Sequence, residues 1–183
     1  LYVITDFKIK AIPQIPQELR TALRPIASES GPRLEHPLGF SFSAPGLSPN
    51  EKLAKARYRA MGGRTDTALW VFSSGNQNLF LTIHLAFPYT REALTLFVDR
   101  FVTSTGATPS VRDVLWDESR PEARVQVPSS RRGEIVFRAI FLHYQDDPYL
   151  VVLWSEGIPG AQAKKIVDSL KITQALPGPG YIR

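Results

Sequence analysis

Residues 79–87 read Leu79-Phe80-Leu81-Thr82-Ile83-His84-Leu85-Ala86-Phe87, and the reading of this run decides the fold. Leu79, Leu81, Ile83, Leu85 and Phe87 alternate onto one face, the period of a β-strand. The opposite face holds Phe80, Thr82, His84 and Ala86, so it is only partly polar. A border strand would leave one of these faces in water, so the run predicts a central strand covered on both sides. Just upstream, Ser74-Gly75-Asn76-Gln77-Asn78 is turn chemistry, and residues 67–73 supply the other arm of a hairpin.

Downstream, Thr90 is placed to cap a helix with Leu94, Phe97, Val98 and Phe101 at i, i+3, i+4 and i+7, and Gly106 closes it. Strands are expected over residues 111–117, 123–127, 134–144 and 149–155, the last two joined by Gln145-Asp146-Asp147-Pro148. A final helix over 159–170 puts Ala163, Ile166, Val167 and Leu170 on one stripe. Upstream, Leu38, Phe40 and Phe42 alternate in a strand over 38–43. A helix over 48–61 follows, with Ser48 as cap, Pro49 at its first position, Glu51 completing a capping box and Gly62-Gly63 as the stop. Residues 1–10 alternate loosely as a possible first strand, 17–27 form a short helix limited by Pro25, and 28–37 read as a loop.

Hairpins dominate the connections, and there is no regular alternation of strand and helix. The expected class is α+β, a mostly antiparallel sheet with helices packed on it. Residues 1–36 are expected as an N-terminal extension, 37–173 as the domain and 174–183, with Pro177-Gly178-Pro179-Gly180, as a flexible tail.

The 183 residues are 43% hydrophobic and 21% charged, enough apolar material for a real core. Cysteine is absent, which excludes disulfides, thiolate metal sites and cysteine nucleophiles. No run approaches 18 consecutive apolar residues, the length of a membrane-spanning helix. The chain begins at Leu1, so a leader, an anchor or a further domain is expected to have preceded it. The formal charge of +5 admits acidic protein, anionic membrane or nucleic acid as partner.

The search for chemistry starts with His36, His84 and His143. His84 and His143 lie in expected strands; they either meet as a metal-binding pair or stand as two sheet residues with satisfied ring nitrogens. No HxH or HExxH spacing favours ligation. Ser129 and Ser130 lack a GxSxG setting, and no phosphate-binding glycine loop occurs. Asp117-Glu118 and Asp146-Asp147 fall in expected turns, where acids stabilise bends. Trp70, Trp116 and Trp154 fall in strands, where packing is the usual role. No catalytic residue, metal or cofactor is therefore assigned.

One charge pattern is one-sided. Lys52, Lys55 and Arg59 recur at i, i+3 and i+7 on the helix after Ser48, so they share a face. Arg57 and Arg64 add charge nearby. The face is either simply solvated or a docking surface for an acidic protein or an anionic membrane. Arg131-Arg132 at an expected hairpin tip has the same two readings. Nucleic acid is not expected, because no aromatic-plus-basic strand motif occurs.

Three features stand in a recognisable order: Gly39-Phe40-Ser41-Phe42-Ser43-Ala44-Pro45, the long apolar hairpin over 135–154, and the closing Ala161-Gln162-Ala163-Lys164-Lys165-Ile166-Val167-Asp168-Ser169-Leu170-Lys171-Ile172. In this the chain resembles the PsbP/Mog1-like group, whose domains open on a GF-F-P strand and close on an I-x-S-L-K helix. The resemblance covers residues 37–172; where the group often carries Trp after the opening proline, this chain has Gly46-Leu47-Ser48. It implies an α/β/α sandwich around an antiparallel sheet. It also implies a non-enzymatic role, since the group includes lumenal accessory proteins of photosystem II, a binder of a small GTPase, bacterial lipoproteins and effector chaperones. The functional expectation is an extracytoplasmic binding or accessory module working through protein contacts, in periplasm, lumen or cell envelope. A hydrolase-type enzyme with an unrecognised site and a structural subunit of a membrane-associated complex are the alternatives.

Overall fold

The computed structural model describes residues 14–173 apart from 22, 30, 86–87, 105, 107–111, 116–121, 130–132 and 146. The chain opens with helix α1 (Gln17–Thr21) and strands β1 (Arg24–Ile26), β2 (Arg33–His36), β3 (Phe40–Phe42) and β4 (Ser48–Pro49). Helix α2 (Glu51–Ala60) leads to β5 (Thr67–Ser74) and β6 (Gln77–Leu85), and α3 (Arg91–Ser104) to β7 (Arg112–Leu115) and β8 (Glu122–Ser129). Then come β9 (Gly133–Tyr144), β10 (Asp147–Glu156), α4 (Gly160–Asp168) and β11 (Lys171–Ile172).

The strands form two antiparallel sheets, so the fold class is α+β. The larger runs β4-β5-β6-β10-β9-β8-β7 and the smaller β1-β2-β3-β11. Residues 79–85 lie in β6, an interior strand paired with β5 on one side and β10 on the other, while Ala86 and Phe87 lie outside the described residues. Both of its faces are covered: Leu79, Leu81 and Ile83 are 0% exposed and Phe80 and Thr82 nearly so.

Two cores follow from that two-sidedness. Leu79, Leu81 and Ile83 join Val136, Ile140, Val151 and Leu153 in a core roofed by Phe40 and Phe42 of the small sheet and by Ala163, Ile166 and Val167 of α4. Burying each such leucine, isoleucine or phenylalanine stabilises by about 1.5–3 kcal/mol. The other face carries Phe137, Ala139, Phe141, Leu150 and Val152, covered by Leu94, Val98 and Val102 of α3. The α3 stripe is thus centred one position away from expectation. Phe97 and Phe101 are half-buried on its shoulder, and Val102 takes the core place. Thr90 caps α3 as expected, its Oγ1 accepting from Ala93 N at 3.1 Å.

Three local expectations are corrected. Residues 28–37, expected as a loop, contain β2, whose polar Arg33 and His36 are both buried. The helix expected over 17–27 stops at Thr21, and residues 24–26 pair with β2. The cap of α2 is Asn50, not Ser48. Ser48 and Pro49 instead pair with Ser73 and Phe72, and Asn50 Oδ1 accepts from Leu53 N at 3.0 Å. A proline without an N–H suits this edge position. The expected division at residue 36 runs through the β2–β3 pairing, and Ile15 and Leu19 lie in the same core as Phe40. The first strand expected over 1–10 and the tail over 174–183 lie outside the described residues.

Gly157 ends β10 with φ 72°, and a Cβ there would stand 2.7 Å from the backbone oxygen of Asn76 in the β5–β6 turn. Gly75, in that turn, has φ 58° but open space around it. Both substitutions to Ala bear the left-handed penalty of about 1–2 kcal/mol; only Gly157→Ala adds a backbone clash, at about 1–3 kcal/mol. Denaturant unfolding should therefore find Gly157→Ala the more damaging by at least about 1 kcal/mol. Equal losses would show that the close approach carries no weight.

Candidate functional site

Helix α2 rests on β5 at the sheet end away from β8, and none of its side chains is fully buried. Three contacts fix it nonetheless. Asn50 caps it, donates its backbone N–H to Val71 O at 2.8 Å and its side-chain amide to Ser73 Oγ at 3.1 Å. Arg57 turns inward, its guanidinium 5.6 Å from the Phe80 ring centre and 3.6 Å from the Glu156 carboxylate. Gly62 and Gly63, both left-handed, end it. The expected trio does share one face: Lys52, Lys55 and Arg59 are all exposed on the side away from Arg57. Lys55 meets Glu51 at 3.5 Å, a pair so exposed that it contributes little. Lys52 and Arg59 make no ion pair among the described residues.

The histidines do not form a ligand pair. His84 lies opposite Leu150, and Leu150 opposite Phe141, so β10 stands between His84 and the strand of His143. Two strand spacings are about 9–10 Å. Each ring has its own setting: His84 lies edge-on to Phe97 at 5.6 Å with Nε2 3.0 Å from Thr82 Oγ1, and His143 lies 5.1 Å from Tyr89. Burial pushes His84 down to about 4, the Asp66 charge opposing and the Arg64 charge adding to that shift.

His36 is the most enclosed of the three, 1% exposed and stacked on Phe40. Its Nδ1 accepts from Leu38 N at 3.1 Å, which fixes the tautomer, so Nε2–H donates to Leu19 O at 2.9 Å. The ring clamps α1 onto the β2–β3 turn. Burial pushes its pKa down to about 4, only partly offset by the Leu19 carbonyl.

Of the remaining sequence candidates, Asp117, Glu118, Ser130, Arg131, Arg132, Trp116 and Asp146 lie outside the described residues, and the Ser129 side chain is likewise not described. Asp147 is exposed at the start of β10. Trp70 edges onto His36, and Trp154 stacks on Phe80 with ring centres 5.0 Å apart, so both serve packing. No group of three or more His, Asp or Glu among the described residues is arranged to hold a metal. No helix among them is long and apolar enough to cross a membrane.

The sequence reading missed a charge network between β8, β9 and α4. Arg138 is 6% exposed and Glu122 is 4% exposed. Arg138 Nε and Nη2 donate to Glu122 Oε2 at 3.1 and 2.9 Å, and Nη1 to Leu170 O at 2.7 Å. Arg124 donates to Glu122 Oε1 at 3.0 Å and stands 3.5 Å from Asp168, which also pairs with Lys164. The available signal was Arg138 itself, a lone charge inside Ile135-Val136-Phe137-Arg138-Ala139-Ile140. No family model matches the chain, and no curated protein matches its sequence.

A buried histidine with a depressed pKa sets a direction for acid stability. The unfolded chain binds a proton near 6.5 that folded His36 refuses until about pH 4. Its contribution is complete above 6.5 and is lost as pH falls toward 4, by about 3 kcal/mol. His36→Gln should therefore narrow the stability difference between pH 7 and pH 4.5, measured by urea unfolding at each pH. Parallel pH profiles for parent and variant would rule out this role.

Proposed function

We propose that the chain is a non-enzymatic binding or accessory module that docks an acidic protein surface with the Lys52, Lys55 and Arg59 face of α2. One observation carries the reading. This helix is anchored by Asn50 and Arg57 and lays a half-buried stripe of Leu53, Ala54, Arg57 and Tyr58 on the sheet, so its opposite face presents Lys52, Lys55 and Arg59 together to solvent. A helix normally persists by burying an apolar stripe; here that stripe is only half-buried, and a cap, a cation–π contact and an ion pair add to it. Three cations on one ordered face raise the local potential, and such charges govern encounter with an acidic partner more than final affinity. The resemblance to the PsbP/Mog1-like group extends the proposal to an accessory role outside the cytoplasm.

The test is kinetic. A partner recovered from an extract of the source cells is titrated against the parent and against a Lys52→Gln, Lys55→Gln, Arg59→Gln triple variant at two salt concentrations. Because these residues are exposed, the variant should keep its melting temperature within a few degrees. Association should slow by about tenfold at low salt, with a flatter salt dependence and a nearly unchanged dissociation rate. Association equal to the parent at both salts would exclude this face. Turnover of a small molecule, abolished by one polar substitution, would overturn the non-enzymatic reading.

A further inference from the structure

On the α4 side of the large sheet, the β8–β9 register sets Arg124 directly opposite Arg138. Like charges so placed repel. Glu122 is buried and accepts from each with a different oxygen, but it does not line the cleft that opens between β8, β9 and α4. That cleft holds about 220 Å³ and is lined by Arg124, Arg138 and Lys164, by Asp168, and by apolar walls that include Val136 and Val167. The lining itself carries three cations and Asp168 beside low-dielectric surface; Glu122, which accepts from both arginines, and Glu134, which accepts from the lining Gln126, balance the remaining positive charge from outside the cleft.

Asp168 is an odd occupant. It stands at the C-terminal end of α4, where the helix dipole disfavours a negative charge. It is held there by two cations, the exposed Lys164 one turn back and the half-buried Arg124 across the cleft at 3.5 Å. Arg138 spends three of its five N–H donors on Glu122 and Leu170 O and is 6% exposed, so it mainly supplies charge and shape to the cleft wall. Arg124, 42% exposed, and Lys164, 56% exposed, retain donors beyond their contacts with Glu122 and Asp168.

We infer that this cleft is a site for a monoanionic carboxylate on a short apolar stem. The carboxylate seats between Arg124 and Lys164, in competition with Asp168, and the stem lies against Val136 and Val167. The donors left on Arg124 and Lys164 call for a negatively charged acceptor, and the guanidinium fork fits a planar carboxylate. The volume is below the roughly 300–1,000 Å³ of sites for larger ligands, so the occupant is a small acid or one side chain. Free short-chain acids and the glutamate side chain of a protein share this chemistry.

NMR titration of the protein with sodium butyrate, and separately with N-acetyl-glutamate N-methylamide, distinguishes the two sources; sodium chloride at equal ionic strength is the reference. Saturable shifts confined to residues 124–126, 136–138 and 164–168 are expected. Binding of butyrate assigns the site to a free acid, binding of the blocked glutamate alone assigns it to a protein side chain, and either upholds the inference. Arg124→Gln should weaken binding by about tenfold or more; if that variant fails to fold, Lys164→Gln carries the same arm. Asp168→Asn should strengthen binding several-fold, a gain that a purely structural role for Asp168 would not produce. No saturation by either compound beyond the chloride reference, or an Asp168→Asn variant that binds no tighter, overturns it.

Discussion

Strands β6 and β10 pair from Leu85 opposite Tyr149 to Asn78 opposite Glu156, and apolar side chains stand on both faces of the pair. This is the constraint from which the remaining architecture follows. Two adjacent strands that are apolar on both sides need two covers. The chain supplies α3 on one side and, on the other, α4 with the small sheet and α1. Because neither cover is a continuous layer, the sheet extends past its roofs. At the β5 end α2 lies along it, and at the β8 end a step is left beside α4. The two surfaces proposed to bind partners are therefore products of the same geometry, at opposite ends of one sheet.

Polar groups inside this fold act as braces between layers. His36 joins α1 to the β2–β3 turn. Arg33 donates to Ser41 within the small sheet and to Ser169 O at the end of α4, where a cation is favoured by the helix dipole. Arg138 and Glu122 do the same between β8, β9 and Leu170, two residues past the end of α4. A buried ion pair adds little net stability over a well-packed apolar pair. Its effect on register is sharper: a one-residue slip of β9 would turn Arg138 into the α3 core, where Phe137 now packs. The braces thus penalise wrong alignments of strands that apolar alternation alone would tolerate.

How far the sequence is legible follows from the same division between apolar pattern and polar exception. Residues 79–87, 134–144 and 149–155 are readable because their alternation is long and their turns carry Gly, Asn or Asp. Residues 33–36 read as loop because Arg33-Leu34-Glu35-His36 has the composition of an exposed segment. Its burial depends on Ser41, Ser169 and Leu19, partners remote in sequence that satisfy its polar atoms. At residues 48–51 two capping patterns overlap by two positions, and pairing of Ser48 with Ser73 across the sheet decides between them. On α3, the choice between Phe97 and Val102 for the core depends on the tilt of the helix over β8 and β9, which periodicity alone does not fix. Of the binding surfaces, the α2 cations are legible because a helix face is a local property. The cleft beside α4 is not, since Arg124, Arg138 and Asp168 meet only through tertiary pairing.

The two surfaces also differ in what their charges do to the fold, and that difference bears on function. The cations of α2 are displayed at low cost: exposed, hydrated, and stabilised by little beyond Lys55 with Glu51. They can change without disturbing either core, and they act at long range, screened over about 8–10 Å at physiological salt. The cations beside α4 are expensive, since placing Arg124 opposite Arg138 requires the buried Glu122 to hold them. Such an arrangement acts only at contact, through directed donors and apolar walls. In the two roles proposed, the α2 surface would gather a large acidic partner and the cleft beside α4 would recognise a single carboxyl group, with the β6–β10 pair lying between them in one sheet.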